Sequence, residues 1–249
     1  MLKTWLIISL SVLCLASFAA AQDILPEGNA LLVEIDRKLM PENSESYKKI
    51  INIEPNGAKK EFILYVVKKG NDKMVSTFLE PKSEVGRSTL RLGDNMWLYI
   101  PNVAKPVRIT SLQSVIGGVF NNSDILQIDY HAEYDVIAKE QEGEQTVLTL
   151  KAKTNAVAYD SLRMRLDAQY SLPDRIECYA ASKMLIKTLY FKEIKDFGEG
   201  MIRPAVTETD SPLYKGYKSV MIFADIKSRE IDDEAFTVNN MHKIKDLRQ

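Results

Sequence analysis

The 249-residue chain carries 33 lysine and arginine residues against 34 aspartate and glutamate residues, for a formal net charge of −1 at pH 7. A chain so close to neutrality gives no electrostatic reason to expect nucleic acid or an anionic membrane surface as its partner. Its 45% of hydrophobic residues is ordinary for a globular protein and supplies enough apolar surface for a sizeable core.

The N-terminus has the pattern of a secretory signal. Lys3 is followed by an apolar run over residues 5–16, and small residues then lead to three alanines at 19–21. A basic start, a short apolar stretch and an A-x-A site are typical of a cleaved signal peptide. The run is also shorter than the roughly 20 residues of a membrane span. We therefore predict a signal peptide over residues 1–21 and a mature chain, without a transmembrane segment, over residues 22–249.

The two cysteines bear on where the signal peptide is cleaved. Cys14 resembles the lipid-anchored cysteine of a lipoprotein signal, but cleavage there would leave half of the apolar run on the mature chain. Cleavage after Ala21 is the preferred interpretation. The mature chain then keeps only Cys178, which excludes an intramolecular disulfide and is expected to lie on a strand as a small apolar residue.

The mature chain reads as one helix followed by many strands. Pro26 suits the first position of a helix, and apolar residues over 31–39 recur at helical spacing until Pro41 stops the pattern. Short apolar or alternating runs, broken by tight turns, then predict strands at 47–53, 61–69, 73–79, 88–92, 96–100, 133–140, 144–152, 159–168, 173–180, 183–195, 201–208 and 217–229. Because no long linker divides them, we expect a single mainly β domain.

Residues 110–130 break this rhythm. They are apolar and glycine-rich, and Asn121 then resembles the N-cap of a short helix. About twenty such residues between strands are unusual for a plain connection and favour a lid or binding segment. A fixed plug that fills one end of the sheet explains the same residues, and the sequence leaves both interpretations open.

Catalytic signals are weak. The only histidines, His131 and His242, lie far apart, and the chain has no metal-binding motif, phosphate-binding loop or nucleophile elbow. Ser123 and Asp124 near His131 could suggest a lipid hydrolase, but helix capping explains them more simply. We therefore expect no catalytic residues, no metal and no cofactor. An apolar face of a curved sheet fits either a lipid-binding cavity or a filled core.

One stretch carries a family resemblance. Residues 86–101, which read GRSTLRLGDNMWLYIP, followed by Val107-Arg108-Ile109, resemble the outer-membrane lipoprotein-sorting (LolA-like) proteins. The shared pattern is a strand, a Gly-Asp turn, a W-x-Y-x-P strand and a basic residue in a short strand. Further matches are Tyr159, Pro173, Tyr179, Lys187, Asp225-Ile226-Lys227 and Phe236-Thr237. The segment over 120–125 departs from the family because it keeps Ser-Asp but not the rest of Gly-Ser-Asp-Phe.

The resemblance implies an open, unclosed antiparallel β-barrel, or strongly curved sheet, with a few helices covering a concave apolar face. It implies a periplasmic carrier that binds the acyl chains of lipoproteins or other lipids and moves them toward the outer membrane. An inner-membrane transporter and an outer-membrane acceptor would be its partners. The alternative is a periplasmic sensor or regulator that uses the same fold to bind lipoproteins and a partner protein.

On this hypothesis the lipid-binding residues come from three places. Leu90, Leu92, Met96 and Leu98 are expected in the concave wall, and Leu162, Met164 and Leu166 in its opposite part. Ile116, Val119 and Phe120 are the expected lid residues. Alternation alone does not decide whether Met96 and Leu98, rather than Trp97 and Tyr99, face the cavity.

Overall fold

The computed structural model describes residues 23–103, 105–114 and 116–248. The predicted signal peptide and Cys14 lie outside this range. The described residues form α1 (Pro26–Leu39), α2 (Asn122–Ile125), α3 (Tyr130–Glu133), two C-terminal 3₁₀ helices (Asp233–Phe236 and Met241–Leu247) and thirteen strands. The strands are β1 (Ser44–Ile53), β2 (Lys59–Lys69), β3 (Lys73–Glu80), β4 (Ser88–Leu92), β5 (Asn95–Tyr99), β6 (Val107–Ile109), β7 (Tyr134–Glu142), β8 (Gln145–Ala152), β9 (Ser161–Leu166), β10 (Pro173–Tyr179), β11 (Leu185–Asp196), β12 (Ile202–Asp210) and β13 (Lys218–Ser228).

All strands belong to one antiparallel sheet in the order β6-β5-β4-β3-β2-β1-β13-β12-β11-β10-β9-β8-β7. The first and last strands of this order, β6 and β7, do not pair with each other within the described residues, so the sheet stays open. The two halves of the chain meet at its centre, where β1 pairs with β13 in a register that shifts between Tyr47 and Lys48. The predicted open, mainly antiparallel β fold is confirmed.

Helix α1 closes one end of the curved sheet. It begins at Pro26 and buries Leu32 and Ile35, as its apolar spacing predicts. Gly28 packs directly against Val136 of β7, where a Cβ atom would overlap the valine side chain. A residue without a side chain is therefore required at this crossing.

One apolar cluster, here called the inner cluster, fills the space that the sheet encloses. It joins residues from strands far apart in the sheet order, such as Leu64 of β2 and Met164 of β9, to α1 and to residues 116–130. Strands so distant can share a core only if the sheet curls strongly. Cys178 of β10 belongs to this cluster as a buried free thiol, in the place predicted for it.

A second cluster, here called the outer cluster, covers the other face of β2 to β4. It joins Val67, Val75 and Leu90 to Phe236 and Met241 of the C-terminal 3₁₀ helices. The prediction that Leu90 and Leu92 line the concave wall is therefore wrong. Leu90 belongs to the outer cluster, and Leu92 packs against it. The side chains of β4 do alternate between two faces as predicted. Both faces are covered, however, so the apolar side chains did not have to point inward.

Candidate functional site

Residues 110–114 and 116–133, here called the cover segment, cross the inner face of the sheet. The segment begins after β6 and contains α2 and α3. A capping box starts α2, in which the Asn121 side chain accepts from the Asp124 amide and the Asp124 side chain accepts from the Asn121 amide. This is the N-cap that the sequence predicted. The remainder of the segment is irregular, and side chains of the sheet satisfy much of its backbone.

Two contacts outside the cover segment fix its ends. Asp36 of α1 accepts hydrogen bonds from the amides of Tyr130 at 2.8 Å and His131 at 2.9 Å. Asn52 of β1 donates to the carbonyls of Ile116 at 3.2 Å and Gly117 at 3.1 Å. The contacts hold the cover segment over the inner face without making it a strand of the sheet.

Five lysine and arginine side chains of the described residues are buried, and all five point from strands toward the inner face. The pairing registers place four of them opposite inner-cluster residues, as Lys48 lies opposite Leu64 and Arg91 opposite Met74. The fifth contacts the ring of Phe223, which belongs to the inner cluster. The five are Lys48, Lys68, Arg91, Lys187 and Arg203. Buried charges are expensive unless they are paired and hydrogen-bonded, so the partners of each one indicate its role.

Three of these five cations pair with acids of the cover segment. Lys68 lies 3.0 Å from Asp129, and Lys187 lies 2.7 Å from Asp124. Arg91 pairs with Glu133. We call Lys68, Arg91 and Lys187 the paired cations.

Two of the paired cations also donate to backbone and hydroxyl oxygens of the cover segment. Arg91 donates to the Leu126 carbonyl at 2.9 Å and to the Ser123 hydroxyl at 3.4 Å, and Lys187 donates to the Val119 carbonyl. Tyr159 of the segment before β9 adds a 2.7 Å hydrogen bond to Asp124. Ion pairs and polar contacts thus connect the cover segment to both halves of the sheet.

Lys48 and Arg203, here called the unpaired cations, differ from the other three. Neither forms an ion pair with any carboxylate of the described chain. Lys48 Nζ donates to the Ile125 carbonyl at 2.8 Å and lies 5.0 Å from the ring centroid of Phe223. Arg203 donates through Nε to the Pro204 carbonyl at 3.1 Å and through Nη1 to the Leu39 carbonyl, and its guanidinium lies 4.0 Å from the same ring centroid.

Burial perturbs both of these groups. It lowers the pKa of Lys48 to about 7, and the nearby charge of Arg203 lowers it further in the same direction. Burial also lowers the pKa of Arg203 to about 9, so the guanidinium keeps its charge at neutral pH. Two positive groups thus share the faces of one aromatic ring, where cation–π attraction offsets part of their desolvation cost.

The unpaired cations lie in the wall of a cleft between the cover segment, the end of α1 and strands β11 to β13. Its volume is about 60 Å³, which is room for no more than a few water molecules. Most of the lining is apolar, and three acids accompany the two cations. The lining residues are Asp36, Leu39, Met40, Lys48, Phe120, Asp124, Gln127, Ile128, Asp129, Tyr130, Leu189, Phe191, Arg203, Thr207, Met221 and Phe223.

The structure separates the residues that the sequence assigned to lipid binding. Leu162, Met164 and Leu166 lie in the inner cluster, as do Ile116 and Phe120. Val119 is buried, and its amide donates to Ser219. Met96 and Leu98 are buried on the face of Arg91, since Met96 pairs with Arg91. Trp97 and Tyr99 pack on the outer cluster with Leu90 and Leu92. Of the ten assigned residues, only Phe120 lines the cleft.

Sequence reasoning missed Lys48, Arg203 and the aromatic ring between them. One signal was present, because Lys48 and Lys49 are adjacent on a strand that has one buried face. Successive side chains of a strand point to opposite faces, so one of the two lysines has to point inward. Arg203 gives no comparable signal.

Two negative findings apply to the described part of the chain. No helix there combines the length and apolarity needed to cross a bilayer. Nor do its histidine, cysteine and acidic side chains gather into a group of three or more that could hold a metal ion.

The comparisons with known proteins agree with this architecture. A LolA superfamily protein from Nitrosomonas europaea is 25% identical, with a TM-score of 0.76 over 84% of this chain and 97% of that one. A DUF1329 family protein from Desulfovibrio piger is 20% identical, with a TM-score of 0.74 over 88% and 99%. A candidate outer membrane lipoprotein-sorting protein domain from Vibrio parahaemolyticus is 18% identical, with a TM-score of 0.70 over 87% and 98%.

Sequence comparison adds the family. No curated protein matches the chain. A model for a family described as uncharacterized proteins matches residues 70–243, which is more than half of the sequence. The predicted resemblance to LolA-like proteins is confirmed by the structural neighbours. The chain therefore belongs to this family of uncharacterized proteins, and its fold is LolA-like.

Proposed function

We propose that this protein is an exported, single-domain carrier that holds the acyl chains of a lipoprotein or another lipid against its inner face. The observation that carries the proposal is an apolar cleft beneath a cover segment that is not a strand of the sheet. Phe120, Leu189, Phe191 and Met221 give the cleft an apolar wall. The proposal includes export through a signal peptide over residues 1–21 and release of the cargo toward the outer membrane. Its structural neighbour from Vibrio parahaemolyticus supports this role by its description.

The cleft has to widen before it can hold a chain. Its volume of about 60 Å³ is well below the roughly 300–1,000 Å³ of typical ligand pockets. Movement of the cover segment is the economical way to widen it, because the segment is held by side-chain contacts rather than by strand pairing. Asn52, Lys48 and Lys187 would exchange their contacts with its carbonyls for water or ligand when it moves.

Burial of an acyl chain would offset part of the cost of such an opening. Each methylene transferred from water to an apolar site contributes roughly 0.8 kcal/mol, so a chain of about twelve carbons has a gross gain of about 9 kcal/mol. The cost is the separation of buried polar contacts, each worth roughly 0.5–1.5 kcal/mol net. A cargo of this kind binds tightly and is still released when an acceptor offers a better apolar site.

The first test is native mass spectrometry with lipid extraction on the mature protein purified from its own host. We expect a co-purifying lipid or acylated protein, and binding of a fluorescent acyl probe after the lipid is removed. Met221→Trp, which fills the cleft, is expected to abolish probe binding. Leu213→Trp, at a side chain that is about half exposed, is the matched control and is expected to bind normally. A lipid-free mass together with no probe uptake would contradict the proposal.

A further inference from the structure

The buried charges of the inner face do not balance. Three buried cations have acidic partners in the cover segment, and the remaining two, Lys48 and Arg203, have none among the described residues. The acids of the cleft are engaged elsewhere. Asp36 accepts from two backbone amides, and Asp124 and Asp129 pair with lysines. Lys48 and Arg203 therefore have no counter-charge among the described residues.

The unpaired cations also keep free hydrogen-bond donors. Lys48 Nζ uses one of its three N–H donors on the Ile125 carbonyl. Arg203 uses Nε and Nη1 on carbonyls, and its Nη2 donates to no group in the described ranges. The two groups lie 5.0 Å and 4.0 Å from the same ring centroid of Phe223, so they are no farther apart than the sum of these distances. Both groups also line the same cleft, where an anion would lie near both.

We infer that the cleft binds an acylated ligand through an anionic group, a carboxylate or a phosphate, held between Lys48 Nζ and the Arg203 guanidinium. Charge-assisted hydrogen bonds to such oxygens are about twice as strong as neutral ones. The oxygens would also remove the repulsion between two like charges that share one ring. The apolar part of the ligand would lie along Phe120, Leu189 and Met221, which line the same cleft.

This inference deepens the proposed function and rests on it. It narrows the cargo from any acylated molecule, which includes the neutral ester-linked chains of a lipoprotein, to an acidic lipid. A neutral acyl ester or alcohol would leave both cations unpaired and would bury polar donors without acceptors. An acidic lipid would satisfy them. The cleft would thus select for the headgroup inside the protein, while the apolar wall accepts chains with little discrimination among their lengths.

The test compares ligands with one chain and different headgroups. Delipidated mature protein is titrated calorimetrically with laurate, dodecyl phosphate, dodecanol and inorganic phosphate. We expect laurate or dodecyl phosphate to bind at least about tenfold more tightly than dodecanol. The tighter of the two anionic ligands identifies a carboxylate or a phosphate as the group recognised. Inorganic phosphate that binds as tightly as dodecyl phosphate would overturn the inference, because the site would then take a free anion.

Three variants connect the preference to the cations. Lys48→Met is expected to lower the ratio of laurate affinity to dodecanol affinity by about tenfold or more. Lys48→Arg should retain the preference, and Lys192→Met, at an exposed lysine, is the matched control. Unchanged anion binding in Lys48→Met would overturn the inference. If a variant does not fold, the titrations of the wild-type protein alone test the inference. Equal affinity of the wild type for laurate and dodecanol would also overturn it. Failure of every chain to bind would instead contradict the proposed function.

Discussion

The paired and the unpaired cations are alike in residue type, strand location and burial, but they face different partners. Lys68, Arg91 and Lys187 find carboxylates in the cover segment, whereas Lys48 and Arg203 find only carbonyls and an aromatic ring. Burial alone therefore does not assign a role to a charged side chain. The first group connects the sheet to its cover, and the second group is left with donors that the protein does not use.

The largest expected effect comes from breaking a paired cation. Arg91→Met leaves Glu133 buried without a cation and removes the contacts with Ser123 and Leu126. We expect the free energy of unfolding to fall by about 3–5 kcal/mol, measured by urea denaturation. The double variant Arg91→Met with Glu133→Leu should recover part of this loss, because no charge then stays buried alone. A loss no larger than that of Lys192→Met would show that the pair does not hold the cover segment.

A smaller effect concerns Asp36, the acid that holds α1 to the cover segment. Burial raises the pKa of Asp36 to about 7 from its ordinary 3.8, and its hydrogen bonds to backbone amides act in the opposite direction. Between these values the folded protein binds the proton that the unfolded chain has lost, so stability falls as pH rises from about 4 to 7. We expect a fall of about 2–4 kcal/mol from this group.

The measurement is a series of urea denaturations between pH 4 and 8. Asp36→Asn removes the titrating group, so its unfolding free energy should change less over this range than that of the wild type. Parallel pH profiles for the two proteins would contradict the assignment of the change to Asp36.

Removal of an unpaired cation should raise the free energy of unfolding, whereas removal of a paired one lowers it. Lys48→Met replaces a buried charge that has no acid, and we expect the unfolding free energy at pH 6 to rise by about 1–2 kcal/mol. The folded-state pKa of about 7 lies below the ordinary 10.5, so the penalty of the wild type is complete below pH 7. It disappears as pH rises toward 10.5. A variant less stable than the wild type at pH 6 would show that Lys48 is a structural cation like the other three.

The smallest expected effect is the pH dependence of the affinity for the anionic ligand. Charged Lys48 is needed to hold an anion, and its pKa of about 7 places its loss of charge in the range of an ordinary titration. Arg203 faces it from β12, Asp36 from α1, and Asp124, Asp129 and Tyr130 from the cover segment. We expect affinity for laurate to fall above pH 7, by at most about tenfold per pH unit, and to stay nearly level in Lys48→Arg. Equal pH dependence in both proteins would exclude Lys48 as the titrating group.

Much of the fold follows from local patterns. The bounds of α1 and the succession of strands were predicted from apolar periodicity and turn residues, because these features act within a few positions of the chain. The assignment of Leu90 and Arg91 to opposite faces was also correct. The prediction of the inward face of β4 was wrong, because the usual rule assumes that one face of a strand meets water. The 3₁₀ helices that cover the outer face of β4 left no pattern in its sequence.

The site was less accessible to prediction than the fold. Lys48 and Arg203 lie far apart in the sequence, and they approach each other across β13 because of the order β1-β13-β12. The register shift between Tyr47 and Lys48 places Lys48 opposite Phe223. Neither the strand order nor an irregular register is encoded in the spacing of apolar residues. The cleft itself depends on the path of the cover segment, whose contacts are with side chains distant in sequence.

The pairing of β1 with β13 also determines when the sheet can be completed during synthesis. A chain made from its N-terminus presents β1 early, yet the neighbour that completes this central strand arrives only with Lys218–Ser228. Contacts between such distant segments form slowly because a long loop has to close first. Completion of the sheet is therefore postponed until almost the whole polypeptide has emerged, and until then β1 has β2 as its only neighbour while its other edge stays unpaired. An unpaired strand edge can pair with a strand of another chain, so this interval is the stage at which the protein is most exposed to aggregation.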